Sequence, residues 1–559
     1  MEIQLLKKER VHEVISLVER VADQYLDLTD EGKQSFQQVN TESFYQNCQI
    51  LTYVAYIDQQ IVGMICFHVQ TCHIHLLFVD EKYFHQGIAT KLMQVVDKLT
   101  VDDIHVHASD YALPFYQKQG FEIIASRQMK DGIAYTPMVK KKHLQKRFTY
   151  YEEVYDFINS QKDRVYSLDN FQRFMNDMNN PQLALPCVHI GGTNGKGSTT
   201  NYIKEVLKKA GYRVGTFTSP ALEKRLDVMR INDIHIDEQA IVDMANRYVD
   251  IWLEYEISLF EIEVFIAIMY FLRQGIDIAL FEVGLGGNLD ATNIIMPLVA
   301  LNTNIGLDHM DFLGDSYESI AMAKAGIIKD GIAFITGEHK QECLDIFRDE
   351  CEKHHSELIR VGRIHDIQDG ENVKYSYRDY NIVLNTPALY QIQNSALAIE
   401  ALLYLRKQFN FRDEDLIYGL FEASWPGRFE KLRDKPLIII DGAHNREGVD
   451  ELYHSAKKFS HLKIIFSALR DKDTDYMIER LLELTYDMTV CEFDHPRAQK
   501  AKLLAKDYPV KVEPDYYQAI DDAWDYEGTL LITGSLYFIT KKRPYIQQKL
   551  KDDENKAHI

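Results

Sequence analysis

The sequence predicts an α/β protein of several domains, carried largely by parallel sheets. Two observations lead there. Short apolar runs closed by glycine alternate with helix-patterned stretches along most of the chain. The length, 559 residues, also exceeds what one hydrophobic core organises. The 46% apolar and 26% charged content is that of an ordinary globular chain.

Taken in order, KERVHEVISLVERVADQYL reads as a helix, followed by strand-like ILTYVAYIDQ, QIVGMICFHVQ and HIHLLFVD. FHQGIATKLMQVVDKL is a glycine turn entering a helix, followed by the strand DIHVHAS and then ALPFYQKQGFEII. MVKKKHLQKRF (138–148) is basic and polar and reads as a linker rather than a nucleic-acid patch, because aromatic residues are not interleaved with its lysines. LPCVHI (185–190) then leads through a glycine-rich turn into STTNYIKEVLKKA, a helix expected to stop at Gly211. IDIALFEVG (276–284) and PLVALNTNIG (297–306) are apolar runs too short for buried helices. A second strand set runs through PLIIIDGAHN (436–445), HLKIIFSAL (461–469) and GTLLITGSLYF (528–538). The polar tail from Lys541 onward is expected to fray. The expected domains are 1–145, 149–424 and 425–545.

The formal charge is −21, from 63 basic and 84 acidic residues. Residues 1–147 hold 16 against 18, leaving 47 against 66, so the acidity sits in the larger part. This argues against nucleic acid or an anionic membrane as a partner, while leaving small anionic substrates open. The seven scattered cysteines contain no CxxC, which points away from a disulfide framework and toward a reducing cytoplasm. The amino terminus lacks the apolar run of a signal peptide, and no stretch has the apolar length of a membrane span.

The most informative segment is Gly191-Gly192-Thr193-Asn194-Gly195-Lys196-Gly197-Ser198-Thr199. Between a strand and a helix, glycines turn backbone N–H groups toward phosphate oxygens. A lysine adds a point charge, and the helix start adds its positive end. The loop is not a strict Walker sequence: Ile190 stands where the first glycine would fall, and Gly197 separates Lys196 from Ser198. Glu282 ends one predicted strand, and Asp308 and His309 follow another. Ligands of open parallel sheets bind at those carboxyl ends. A carboxylate, an imidazole and hydroxyls there suit Mg2+ bridging ATP oxygens, although histidine is an unusual magnesium ligand.

HIGGTNGKGSTT, FEVGLGGNLDATN, IGLDHMDFLG with IAMAKAGIIK, WPGRFE, DGAHN and TGSLYF occur in one order between about 149 and 545. That set resembles the folylpolyglutamate synthase/dihydrofolate synthase family of the Mur ligase superfamily. The resemblance implies a P-loop parallel-sheet ATPase domain, then a smaller Rossmann-like α/β domain. It also implies ATP-dependent ligation of glutamate to a folate carboxylate through an acyl phosphate. On that basis Gly192, Thr193, Asn194, Gly195, Lys196, Gly197 and Ser198 cradle the triphosphate. Asn394, Arg428, Asp441 and His444 contact the nucleotide from the far side. Ser219, Glu282 and His309 take the magnesium positions, and Lys324 matches a lysine carbamylated into a second-metal ligand. Lys196, His309 and Lys324 are the expected catalytic residues.

Three positions depart from the family pattern: Ala221 after TSP, Ala323 before Lys324, and Asn288 in the glycine run. The motifs favour the folate branch without distinguishing dihydropteroate from tetrahydrofolate; extension of tetrahydrofolate at its γ-carboxylate is the leading expectation. Dihydrofolate synthase or bifunctional activity, a cell-wall Mur ligase and a non-catalytic nucleotide-binding scaffold are the alternatives.

The first 145 residues resemble a GNAT-type acetyltransferase, an α+β fold, with Phe115, Tyr116, Gly120 and Phe121 forming its FYxxxGF ending. The resemblance implies that Gln86, Gly87, Ile88 and Ala89 bind acetyl-CoA. It makes Tyr116 the acid for the departing thiolate, with an ordinary phenol pKa near 10. Phe84 stands where the family has Gln or Arg. His73/His75 and His105/His107 have the spacing of one strand face. Zinc ligands or plain period-two positions on half-buried strands both account for them.

Overall fold

The computed structural model describes residues 1–47, 49–143, 146–162, 168–221 and 225–557. Cys48, Leu144 and Gln145 lie outside them. Two compact units emerge. One comprises 1–186, 236–279 and 294–296; the other comprises 187–235, 280–293 and 297–559.

The first unit carries an eight-stranded sheet. Its order is Glu2–Leu5, Ile50–Ile57, Gln60–His68, His73–Val79, Ile104–Ala108, Ile133–Lys140 and Glu122–Ile123, with Gln128–Lys130 paired to Ile133–Lys140 off that path. Among the described residues its strand pairs are antiparallel, except His73–Val79 with Ile104–Ala108. The helix Val11–Tyr25 lays Val11, Val14, Leu17, Val18 and Val21 on the sheet, the 3–4 spacing of one helix face. Gly87, at φ +79, turns the chain into the helix Ile88–Leu99.

The expected linker begins inside the sheet. Met138, Val139 and Lys140 end the strand Ile133–Lys140, and the lysines answer acids of this domain. Lys140 and Lys142 pair with Asp97, and Lys141 pairs with Asp103. These three lysines are therefore committed to acids of the same domain.

Helices Glu238–Glu254 and Leu259–Gln274 belong to the same unit. Leu259–Gln274 is apolar on all sides and accordingly buried. Ser258 and Glu261 form its capping box, and Gly275 at φ +58 ends it. Phe265 meets Phe174 at 4.9 Å and Tyr248 at 5.0 Å, ring centre to ring centre. Arg247 Nη2 donates to Asp97 O at 2.6 Å, Tyr248 Oη to Lys98 O at 3.1 Å, and Arg273 pairs with Asp102 at 2.5 Å. These bonds seat the helices on the N-terminal domain.

The second unit holds most of another eight-stranded sheet. Its order is Ile234–His235, Met229–Ile231, Val214–Phe217, Ile278–Glu282, Cys187–Gly191, Val299–Asn302, Phe334–Thr336 and Leu358–Arg360. Cys187–Gly191, Val299–Asn302, Phe334–Thr336 and Leu358–Arg360 run parallel, so their carboxyl ends share one edge. The helix Lys196–Lys209 follows the glycine loop and closes at Gly211, φ +95. A small antiparallel sheet, His365–Gln368, Val373–Tyr377 and Tyr380–Leu384, comes next.

The last sheet has the order Glu430–Asp434, Leu437–Ile440, Thr529–Thr533, Leu462–Phe466, Met488–Glu492 and Lys511–Asp515; only its first pair is antiparallel. The tail does not fray as expected but forms the helix Leu536–Ala557, with Pro544 inside it. Phe538, Ile539 and Ile546 bury against Ile438 and Ile532, and Asp553 accepts from Trp524 Nε1 at 2.6 Å. A few well-placed apolar residues anchor a mostly polar helix.

The six described cysteines are buried. Among the described residues, no helix is long and apolar enough to cross a membrane.

Candidate functional site

The glycine loop runs from the carboxyl end of the strand Cys187–Gly191 into the helix Lys196–Lys209. Two of its glycines have no substitute. A Cβ on Gly192, φ +128, would lie 1.8 Å from Thr303 Oγ1, and one on Gly195, φ +85, would lie 2.1 Å from Asn394 Oδ1. Asn394 is therefore pressed against the loop itself. Thr193 N and Asn194 N donate to Asn304 O and Oδ1, both at 2.9 Å, which fixes the loop on the neighbouring strand end. Ser198 Oγ accepts from Gln391 Nε2 at 3.2 Å, and Gly197 faces the Trp425 indole.

Lys196 Nζ curls back to Gly192 O (3.1 Å) and Thr193 O (3.2 Å). Lys324 Nζ donates to the same Gly192 O at 2.9 Å. Two amines thus converge on one carbonyl. Burial and the Lys196 charge bring Lys324 down to about 7. Glu282, ending the strand Ile278–Glu282, is buried, and its carboxyl is pushed up to about 7 by desolvation, against the pull of Lys196, Arg428 and the Ser219 N–H. Asp290 holds the glycine run between these strands, accepting from Leu285 N at 2.8 Å and Thr292 N at 2.9 Å.

Asp308 and His309 lie past the strand Val299–Asn302. His309 adopts φ +53 and its N–H bonds Asp308 Oδ1 at 2.9 Å; burial lowers its imidazole pKa. Asp308 meets three C-terminal residues: Lys472, Asn445 (Nδ2 to Oδ2, 3.1 Å) and His444 (Nε2 to Oδ2, 3.6 Å). Desolvation opposes ionisation, but His444 and Lys472 outweigh it and hold the carboxyl far below its ordinary range.

Asn194 and Asn445 exchange amide hydrogen bonds, each at 3.1 Å. Asp441 accepts from Tyr390 Oη, Phe429 N and Ala443 N, each at 2.8 Å, while burial raises its carboxyl pKa. Arg428 Nη1 reaches Gly442 O at 3.5 Å.

Lys196, Lys324 and Asn394 meet at the loop, while Asp308 and His444 come together at the C-terminal contact. Lys472, Asn445, Gln391, Trp425 and Thr303 were not singled out. Asn445 sits within the DGAHN motif and was legible there; Lys472 lies in a loop without a motif.

The first unit holds a cavity of about 850 Å³, lined in part by Gly87, Ile88, Ala89, Thr90 and Tyr116. Gln86 points elsewhere, its Nε2 donating to Lys82 O at 3.4 Å. Tyr116 is 4% exposed, and burial pushes its phenol well above the ordinary value expected from the sequence. Phe84 joins a cavity-wall cluster with Tyr25 (5.3 Å) and Tyr111 (6.2 Å). A wall role for Phe84 explains its departure from the polar residue expected there. His73 and His107 meet at 4.7 Å. Among the described residues, no group of three or more His, Cys, Asp or Glu side chains has metal-holding geometry.

Residues 24–142 match the acetyltransferase (GNAT) domain model, 190–402 the Mur ligase middle domain, and 427–536 the Mur ligase glutamate ligase domain. The dihydrofolate synthase/folylpolyglutamate synthase of Bacillus subtilis is 35% identical over 406 residues, covering 67% of this chain and 94% of that protein. The apo form of L. casei FPGS superposes with a TM-score of 0.64 at 27% identity, over 72% of this chain and 100% of that one. E. coli FolC in complex with DHPP and ADP superposes with a TM-score of 0.66 at 25% identity, over 72% and 98%. With its loop, strand-end acids and C-terminal partners in place, the chain belongs to the dihydrofolate synthase/folylpolyglutamate synthase family of Mur ligases, preceded by a GNAT domain.

Proposed function

We propose that the chain is an ATP-dependent ligase that adds L-glutamate to the γ-carboxylate of tetrahydrofolate, and that its N-terminal domain transfers acetyl groups from acetyl-CoA. The observation that carries the ligase reading is the convergence of Lys196, Lys324 and Glu282 on the glycine loop. In this reading 149–424 is the ATP-binding domain, 425–545 the glutamate ligase domain and 1–145 the acetyltransferase domain.

The triphosphate lies along the N–H groups at the helix start, from Gly195 to Ser198, beyond the Thr193 and Asn194 N–H groups that Asn304 holds, and Lys196 leaves the loop carbonyls to meet the transferred phosphoryl group. Asn394, Arg428, Asp441 and His444 hold the nucleotide from the other side. The substrate carboxylate attacks the terminal phosphorus, the bond to the bridging oxygen breaks, and ADP leaves. The glutamate amine then attacks the acyl carbon, phosphate departs and a proton goes to solvent. Held in a closed site, the acyl phosphate is protected from water.

The donor set fits Mg2+. Glu282 is a buried carboxylate bonded by the Ser219 N–H, the Glu282 carboxylate and a serine hydroxyl are hard oxygen ligands, and burial holds the His309 imidazole toward its neutral form. When bound, the ion supplies charge neutralisation at the phosphate oxygens. Lys324 fits only after conversion to a carbamate, and an amine held near 7 offers the neutral form that this requires.

The Bacillus subtilis relative's double name favours a second reading, in which dihydropteroate is also a substrate. Incorporation of labelled glutamate, with dihydropteroate and tetrahydrofolate offered in parallel, separates them. Product from tetrahydrofolate alone supports tail extension, and product from both supports a bifunctional enzyme. Bound nucleotide without product from either overturns the ligase reading in favour of a scaffold.

A further inference from the structure

The strands His73–Val79 and Ile104–Ala108 run parallel but pair at only two positions, His73 with His105 and Ile74 with Val106. The next position on each strand is a histidine, His75 and His107, and there the strands part. Both imidazoles line the cavity of about 850 Å³ that also receives Gly87–Ala89 and Tyr116. His73 sits between them, 5.2 Å from His75 and 4.7 Å from His107. His107 stacks on Tyr135 at 4.1 Å, and His75 meets the Phe44 edge at 5.8 Å.

The surroundings keep these rings neutral. Desolvation lowers both, His75 also feels His68 and His107, and His107 feels Lys130 and His105. His73 is pushed down to about 4 by burial and its histidine neighbours. The rest of the wall is flat and apolar, drawn from Tyr25, Phe36, Phe44, Phe84, Tyr111 and Tyr135. Asp131 is the one carboxylate among the described lining residues, against Lys118 and Lys130. A polycation would find too little negative charge here, whereas an aromatic ring would find stacking partners.

We propose that this cavity acetylates a primary amine carried on an aromatic body, with the His75–His107 pair at the strand split taking the amine's proton. The proposal rests on the acetyl-CoA reading given above. The ammonium gives one proton to an imidazole, which releases it to solvent. The amine nitrogen attacks the thioester carbon, the C–N bond forms and the C–S bond breaks. The second amine proton reaches the departing sulfur by way of the Tyr116 hydroxyl, which is reprotonated in the same relay. The products are an N-acetyl amide and free CoA thiol.

The test uses the full chain with acetyl-CoA and three acceptors: tryptamine, phenethylamine and spermidine. Thiol release is followed between pH 5 and 9. The expected result is a kcat/KM at least tenfold higher for the arylalkylamines than for spermidine, with a limb that rises with pH and inflects below the ordinary imidazole value. In the His75→Gln/His107→Gln variant that inflection disappears and kcat falls about 100-fold or more, while acetyl-CoA affinity by equilibrium dialysis is unchanged. His105→Gln, at a position that does not line the cavity, keeps wild-type kcat and retains an inflection, moved upward because His105 no longer lowers His107, and each single variant reports separately should the double variant fail to fold. Bound acetyl-CoA with spermidine preferred, with no arylalkylamine turned over, or with the inflection intact in the folded variants overturns this proposal alone. Failure of the wild type to bind acetyl-CoA overturns the parent reading and this one with it.

Discussion

Lys472 Nζ stands 2.5 Å from Asp308 Oδ1, joining a C-terminal loop to the end of the central parallel sheet through a pair about nine-tenths buried on both sides. Asn445 and His444 approach the other oxygen of the same carboxylate. Breaking such a pair from one side strands a buried charge, at a cost of about 3–5 kcal/mol. Lys472→Met should therefore lower the melting temperature of the ligase part and cut turnover tenfold or more. Adding Asp308→Asn should restore most of the stability but not the activity, as calorimetry and a glutamate-incorporation assay would reveal. A double variant no more stable than Lys472→Met would show that the pair is not the source of the loss.

Lys196 contacts only loop carbonyls of its own turn, so removing it disturbs little of the packing. Lys196→Ala should lose about 10²–10³ in kcat with an unchanged circular dichroism spectrum. Gly195→Ala should instead fail to bind nucleotide, because its Cβ would collide with Asn394. Fluorescent-nucleotide titration of both variants distinguishes lost chemistry from a lost site.

Lys324 offers a neutral amine as pH rises through about 7. Its folded value lies below that of a free lysine, so the fold favours the uncharged form across the intervening range. With ¹³C-bicarbonate, the wild type should give a carbamate resonance at pH 8 that is much weaker at pH 6, and Lys324→Arg should give none. A silent wild-type spectrum at pH 8 would rule out the modification.

His73 titrates near 4 when folded, against about 6.5 unfolded. Between those values the unfolded chain binds more protons, so stability falls as pH drops across that window. The first unit should melt at progressively lower temperature from pH 6.5 to pH 4, and His73→Asn should flatten that slope. Differential scanning calorimetry at four pH values suffices.

Tyr116→Phe keeps the buried ring and removes only the hydroxyl. Acetyl transfer should slow by about 10²-fold, with the melting temperature changing little. Equal rates in the two proteins would make the hydroxyl a bystander.

Much of the ligase site was legible because its chemistry is written in contiguous motifs. The glycine loop, Glu282 and the DGAHN run each sit at a strand end, His309 follows one at the cap of a short helix, and Lys324 reaches the loop from the last turn of the helix Tyr317–Ala325. Lys472 was not legible, since its meaning arises only when a distant loop is laid against Asp308. The split at His75 and His107 was equally hidden: alternation identified their shared face, but not the point at which two parallel strands cease to pair. The C-terminal helix escaped notice because its apolar anchors, such as Ile546, are sparse among charges. Tyr116 lines the cavity, but its burial, and hence its raised pKa, is a property of packing that the sequence pattern does not carry.

Arg247, Tyr248 and Arg273 come from helices that belong by sequence to the Mur ligase middle domain, yet they bond to Asp97, Lys98 and Asp102 of the N-terminal domain. The two parts are thus joined by packing as well as by sharing one chain. A lineage that needs only folate ligation still purges lesions from the N-terminal core, because such lesions loosen helices that the ligase sequence also encodes. Gene fission between the two parts would demand new surfaces on both, so the union is easier to keep than to undo.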